Sequence, residues 1–278
     1  MIKQSGINDR KVVLITGASS GIGKVCAEHL ATRGYRVFGT QRAPVESVES
    51  INGVELISLD VTEDESVRGA VESVRQRSGR IDAVVNNAGY ALMGSVEETS
   101  LEEARAQMET NFFGVLRVCG AVLPLMRSQG SGYIINISSL AGVLGLPFSG
   151  LYSASKFAVE GMTESLRLET KRHGIRVVLI EPGDFRTQLP ANRRIAEGQG
   201  PKSPYLDLFK RVSAAQEKDE ANAPTPEPIA MLVDKILRST APRLRYTTGM
   251  TGQRIVVPMK RLLPQRTFEW VLSIALGL

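Results

Sequence analysis

The sequence predicts an α/β fold in which a doubly wound parallel sheet of about seven strands carries helices on both faces. Two observations support this. Short apolar runs alternate with helical patterns from residue 12 to about residue 248. The first run meets a glycine-rich turn that opens a helix. No internal repeat or second boundary interrupts the series, so residues 1–278 read as one domain.

Val12–Thr16 is continuously apolar up to its threonine, like a strand buried on both faces. The turn Gly17-Ala18-Ser19-Ser20-Gly21-Ile22-Gly23 follows. Ile22, Val25, Cys26 and Leu30 then mark one helix face, and Gly34 ends it. Strand, glycine turn and helix make the first half of a Rossmann-type dinucleotide unit. Glycines let the backbone approach a pyrophosphate, and the helix start offers free N–H groups. The spacing Gly-x-x-x-Gly-x-Gly is not the Gly-x-Gly-x-x-Gly fingerprint, and read alone it is only a glycine-rich turn.

The second strand, Arg36–Thr40, ends at Gln41-Arg42 with no acidic residue from Gly39 to Arg42. An NAD site wants a carboxylate there for the ribose hydroxyls. Arg42 is instead placed to meet a 2′-phosphate, which favours NADP(H) over NAD(H). The alternative is a solvated loop charge.

Val54–Leu59 reads as the third strand, closed by Asp60-Val61, with Thr62 and Glu65 as a capping box. Val67, Val71 and Val74 mark the next helix. Ile81–Val85 delivers Asn86-Asn87-Ala88-Gly89, and Ser100 with Glu103 forms another capping box. Asn111 lies inside the following helical pattern, where asparagine is a poor choice. It has a second role there, or it faces solvent or a neighbouring loop. Tyr133–Ile137 ends at Ser138-Ser139, and Ile175–Ile180 ends at Glu181-Pro182-Gly183. Residues 184–225 are polar and long for a connection, which predicts a lid or a disordered segment. A helix with Ile229, Leu232, Val233, Ile236 and Leu237 on one face follows, and Leu244–Thr248 is a candidate last strand.

Tyr152 and Lys156 stand four residues apart, on one face of a helix. A nearby ammonium favours the ionised phenol, so the pair can act as a general acid or base. Surface helices also carry such pairs without function.

Composition bounds the rest. Hydrophobic content of 42% and charged content of 23% are ordinary for a globular protein. No apolar run reaches the ~18 residues of a membrane span. Met1–Arg10 lacks an apolar secretory core. Cys26 and Cys119 sit in apolar helical patterns, as reduced core residues do. A cytoplasmic location follows as the default.

In their order, Thr16-Gly17-x-x-x-Gly21-x-Gly23, Asp60-Val61, Asn86-Asn87-Ala88-Gly89, Asn111, Ser139, Tyr152-x-x-x-Lys156 and Pro182-Gly183-x-x-x-Thr187 resemble the short-chain dehydrogenase/reductase family. The match covers about residues 10–190, and Ser139 precedes Tyr152 by thirteen residues as the family expects. The resemblance implies an oxidoreductase acting between a carbonyl and an alcohol. Tyr152 would exchange the proton, Ser139 would orient the oxygen, and Lys156 would lower the Tyr152 pKa and bind the nicotinamide ribose. Asn111 would hold a water. Gly17, Ser19, Ser20, Gly21, Ile22 and Gly23 would line the pyrophosphate, Asp60 and Val61 the adenine, and Asn87, Ala88 and Gly89 the adenosine ribose. Pro182, Gly183 and Thr187 would hold the nicotinamide. His29 and His173 lie outside these motifs, so no metal site is expected, nor a nucleic-acid partner.

Beyond residue 190 the resemblance loosens. Pro190, Ile195, Tyr205, Leu206, Leu208 and Phe209 punctuate the substrate segment 184–225, and residues 249–278 form a C-terminal extension. The chain is similar to family members acting on steroids, retinoids and other apolar alcohols and ketones. From Arg243 to Arg266 there are six basic residues and no acidic one, and 268–278 is mostly apolar. If helical, the tail folds over the substrate cleft or a partner subunit, or it lies on an anionic membrane surface. Apolar residues beyond one stripe, Phe113 and Val118 on one helix and Phe157, Val159 and Met162 on another, predict a homodimer or homotetramer. Two other classes stay open: a non-catalytic cofactor sensor and a membrane-surface interaction protein.

Overall fold

The computed structural model describes residues 10–45, 50–187, 193–276 and 278. Pro190 and the first nine residues fall outside that set. The chain begins β1 (Val12–Ile15), α1 (Gly21–Thr32), β2 (Arg36–Gln41), β3 (Ser50–Ile51), β4 (Val54–Ser58) and α2 (Asp64–Ser78). It continues β5 (Ala83–Asn86), β6 (Ala91–Met93), α3 (Leu101–Met108), a π turn at Glu109–Phe113 and α4 (Gly114–Gln129). Then come β7 (Gly132–Ile137), α5 (Gly150–Thr170), β8 (Ile175–Pro182), β9 (Arg193–Ile195), α6 (Leu206–Asn222) and α7 (Glu227–Arg238). The last elements are β10 (Arg245–Thr248), α8 (Thr251–Leu262) and α9 (Gln265–Leu276).

The main sheet runs β10-β8-β7-β5-β1-β2-β4-β3. The seven expected strands all form and pair parallel. The eighth, β3, is a two-residue antiparallel edge. One apolar layer joins the sheet to α2, α4 and α5 through Val67, Val122 and Val159. The other joins it to α1 and α7 through Cys26, Leu30, Ile229 and Ile236. Both cysteines are buried free thiols, and burial pushes each up to about 12.

Three expectations change. Thr62 and Glu65 form no capping box. The Thr62 hydroxyl donates to Asp60 Oδ1 (2.8 Å), and α2 starts after Glu63. The Ser100–Glu103 box does form. The polar stretch after Asp184 is not one loop: β9 pairs with β6 in a small parallel sheet, and α6 runs for 17 residues. Three-residue strands are too short for periodicity to reveal, and α6 buries only Phe209 and Val212 among many charges. In the two helices named for oligomer contacts, Val118 and Val159 face the core, and Phe113 and Phe157 stay exposed.

Candidate active site

β1 leads by α1 to β2 on one side, while β5 lies on the other. The crevice between the carboxyl ends of β1 and β5 is therefore the topological switch point. Gly17 sits there at φ +66°, and a Cβ on it would lie 2.9 Å from Ala88 Cα. A Cβ on Gly23 would lie 2.3 Å from the Gly17 carbonyl oxygen. Only glycine fits at either position.

Asn87 locks the turn. Its Nδ2 donates to the carbonyls of Thr16 and Gly17, both at 3.0 Å. The Asn87 and Ala88 N–H groups donate to Thr16 Oγ1, also at 3.0 Å. The Asn87 amide is thus spent on holding the turn. No side chain caps α1: Ser20 makes no cap bond, and the first turn has no acidic residue. Its first-turn N–H groups suit a dinucleotide pyrophosphate beside Ser19, Gly21 and Ile22. A Cβ on Gly21 would lie 3.6 Å from Thr187, so the loop after β8 reaches the glycine turn.

Arg42 is exposed just past β2. Asp60 follows β4, and its Oδ1 accepts from the Thr62 N–H and hydroxyl. The Val61 side chain belongs to the core, where a Cβ on Gly114 would meet it at 2.8 Å.

Ser139, Tyr152 and Lys156 gather at the end of β7 and the start of α5. Ser139 caps a short turn, Leu140–Gly142, with its Oγ accepting from the Ala141 N–H at 3.1 Å. The Ser139 hydroxyl faces Tyr152 closely enough to favour its ionised phenol. Lys156 Nζ lies 5.8 Å from the centre of the Tyr152 ring and donates to the Ile137 carbonyl at 2.9 Å. Burial lowers the Lys156 pKa to about 8, against the opposing charge of Glu160. The Tyr152 phenol is raised above its ordinary value, by burial first and by the Asp184 charge, with the Ser139 hydroxyl opposing. Lys156 was expected to lower the Tyr152 pKa. In the protein by itself desolvation wins.

Asn111 is fully buried in the π turn. Its Oδ1 accepts from the Tyr90 N–H (3.1 Å), and its Nδ2 donates to the Tyr90 carbonyl (2.9 Å) and Ser155 Oγ (3.2 Å). Its side-chain amide is fully engaged by protein groups. It ties the loop after Gly89 to α5 beside Lys156, and a Cβ on Gly89 would meet Asn111 Oδ1 at 3.0 Å.

Pro182 and Gly183 end β8 between the Ser139 turn and α8. A Cβ on Gly183 would lie 2.2 Å from Gln253 Oε1 and 3.2 Å from Leu140. Gln253 accepts from the Asp184 N–H (3.0 Å) and donates to the Asp184 carboxylate. Leu140 and Leu144 pack with Phe268 of α9, and Val256, Val257 and Leu272 pack against them. The tail therefore roofs the Ser139 side of the crevice. Sequence reasoning missed Gln253, because it belongs to no motif and lies 69 residues from its partner.

A family model described as short chain dehydrogenase matches residues 11–198. A 3-ketodihydrosphingosine reductase from Bacteroides thetaiotaomicron is 44% identical over 264 residues, covering 95% of this chain and 97% of that one. A short-chain dehydrogenase structure from Streptomyces avermitilis superposes with a TM-score of 0.80 at 33% identity, covering 95% and 96%. ElxO with NADP bound superposes at 0.69 with 27% identity, covering 86% and 96%. A Burkholderia phymatum relative solved with NAD shares the fold at 23% identity and 0.77, covering 91% and 94%. The glycine turn at the switch point, the grouping of Ser139, Tyr152 and Lys156 and these likenesses agree: the chain belongs to the short-chain dehydrogenase/reductase family of oxidoreductases.

Proposed function

We propose that the protein is an NADP(H)-dependent oxidoreductase that reduces a ketone carried on an apolar molecule to the alcohol. The observation that carries this reading is the grouping of Ser139, Tyr152 and Lys156 at one end of the sheet. The cofactor supplies the hydride. Tyr152 Oη gives its proton to the carbonyl oxygen as the alcohol forms. Ser139 Oγ orients that oxygen. The Lys156 ammonium then stabilises the phenolate, which recovers its proton from solvent. Ketone, NADPH and one proton give alcohol and NADP⁺.

The preference for NADP(H) rests on Arg42 and on the missing carboxylate at the end of β2. Residues 184–225 serve as the substrate loop and residues 249–278 as its roof. An apolar substrate is supported by that roof, whose inner face carries Phe268, Val256 and Val257. The 44% identical relative, named for a ketone reduction, supports the same class. The exposed Phe113, Leu116 and Phe157 on α4, its π turn and α5 support pairing of two chains. Among the described residues no helix is long and apolar enough to cross a membrane.

The test is nicotinamide absorbance with NADPH and NADH against short and long aliphatic ketones and the matching alcohols. NADPH-dependent reduction that improves with chain length is expected. Equal activity with the two cofactors refutes the Arg42 assignment, and no turnover of any ketone or alcohol refutes the whole reading.

A further inference from the structure

We propose that the outer face of the C-terminal helices, α8 and α9, docks on an anionic lipid surface with Trp270 at the contact. α9 is apolar on two sides. Phe268 and Leu272, one turn apart, pack in the layer of Leu140 and Leu144. Trp270 and Ile274, also one turn apart, each follow one of those anchors by two residues, about 200° round the helix. They therefore point the other way, and they are 64% and 62% exposed. On α8, Ile255 and Leu262 stand two turns apart on one side, and both are exposed. The roof over the crevice uses the inner anchors and leaves these four residues to water.

The charges around them select the partner. Residues 249–278 hold Arg254, Lys260, Arg261 and Arg266 against one acid, Glu269. Lys260 turns inward, to the Val143 carbonyl and the Phe157 ring. Arg254, Arg261 and Arg266 are exposed. Arg254 and Arg261 directly precede Ile255 and Leu262, and Arg266 stands one turn before Trp270. Among the described residues none of these three arginines makes an ion pair, whereas Arg245 is held by Glu160 and Glu164.

Other ways of covering this face meet an obstacle. A second copy paired about a two-fold axis would set the same arginines against one another. A bilayer crossing needs about 20 residues. α9 has 12. An anionic lipid surface meets both demands. Its acyl boundary takes the apolar stripe, its headgroup level suits a tryptophan, and its charge attracts the arginines. The inner anchors hold α9 in place, so the outer stripe is presented ready-formed. One helix thus covers the crevice with one face and meets lipid with the other.

Trp270 is the only tryptophan of the chain, so its fluorescence reports this face alone. The full chain is titrated with vesicles of phosphatidylcholine and of phosphatidylcholine mixed with phosphatidylglycerol. On the anionic vesicles Trp270 emission should move to shorter wavelength and be quenched by brominated acyl chains. High salt should reverse both changes, and phosphatidylcholine alone should produce little of either. Arg254→Gln, Arg261→Gln and Arg266→Gln together should weaken partition to the anionic vesicles by about 100-fold, at about fivefold per arginine. Ile274→Ser should weaken it by about tenfold through lost apolar burial. Circular dichroism and NADPH titration check that these variants fold, and the wild-type titration needs neither. Emission unmoved by anionic vesicles, or a triple variant that partitions like the wild type, overturns the proposal. So does emission that is already blue before lipid is added and reddens on dilution as the oligomer mass falls, since a second copy then covers the face. No readout here depends on turnover, so failure of the docking leaves the proposed reduction standing, and the reverse holds too.

Discussion

The two ends of this chain build opposite sides of one crevice by different physics. Residues 10–187 place their groups through strand ends and close backbone contacts. Gly17 against Ala88 and Gly23 against Gly17 leave no room for a side chain, and Asn87 bonds the turn from below. Residues 249–278 cover the Ser139 side of the crevice through side chains: Phe268 against Leu140, Gln253 against Asp184 and Lys260 Nζ against the Val143 carbonyl. Phe268 is a buried anchor of α9, and α8 buries no residue. The first region tolerates little change. The second can be re-lined without disturbing the sheet, which is where selection among substrates can vary.

The largest effect should come from the first region. Tyr152→Phe removes the proton donor and should lower kcat by about 10²–10⁴-fold while NADPH affinity holds. Stopped-flow turnover and a fluorescence titration check the two halves. A Phe variant with wild-type turnover would remove Tyr152 from the chemistry.

Arg42→Asp should weaken NADPH by about 10–100-fold and narrow the gap to NADH, since it exchanges a phosphate-binding cation for an anion. Titration of both cofactors checks this, and an unchanged NADPH affinity makes Arg42 a solvated charge.

A smaller effect sharpens the role of Lys156. Its ammonium is the form that stabilises a phenolate, and burial puts its pKa at about 8. The protonated form lies below that value, so kcat/KM for NADPH should fall as pH rises through about 8. Glu160, one turn on and paired with Arg245 at 2.9 Å, holds the Lys156 pKa up. Glu160→Gln should therefore move the falling limb to lower pH. A limb that stays in place would separate Glu160 from Lys156.

The smallest expected effect is in thiol chemistry. Cys26 and Cys119 are buried with thiols pushed up to about 12. Neither should react with a thiol reagent in the folded protein at neutral pH.

Much of the first region was legible in the sequence because its signals are local. Apolar runs such as Val12–Ile15 can only be central strands, and Tyr152 and Lys156 share a helix face by spacing alone. The side-chain partners of Asn87 and Asn111 were not, because position in a motif does not say where a side chain spends its hydrogen bonds. Nor was the sense of the Tyr152 shift, which depends on burial that no spacing records. Elsewhere the signals were weaker still. The strands β6 and β9 have three residues each, and the roof joins Gln253 and Phe268 to partners far away in sequence.

The division between a chemical floor and a selective roof is tested most directly by Phe268→Ala. Measure the NADPH dissociation constant together with KM for a long-chain and a short-chain ketone. The account predicts an unchanged NADPH constant, a KM for the long-chain ketone raised by about tenfold through lost apolar burial, and a smaller change for the short one. An NADPH constant that weakens with KM, or a KM indifferent to chain length, would contradict it.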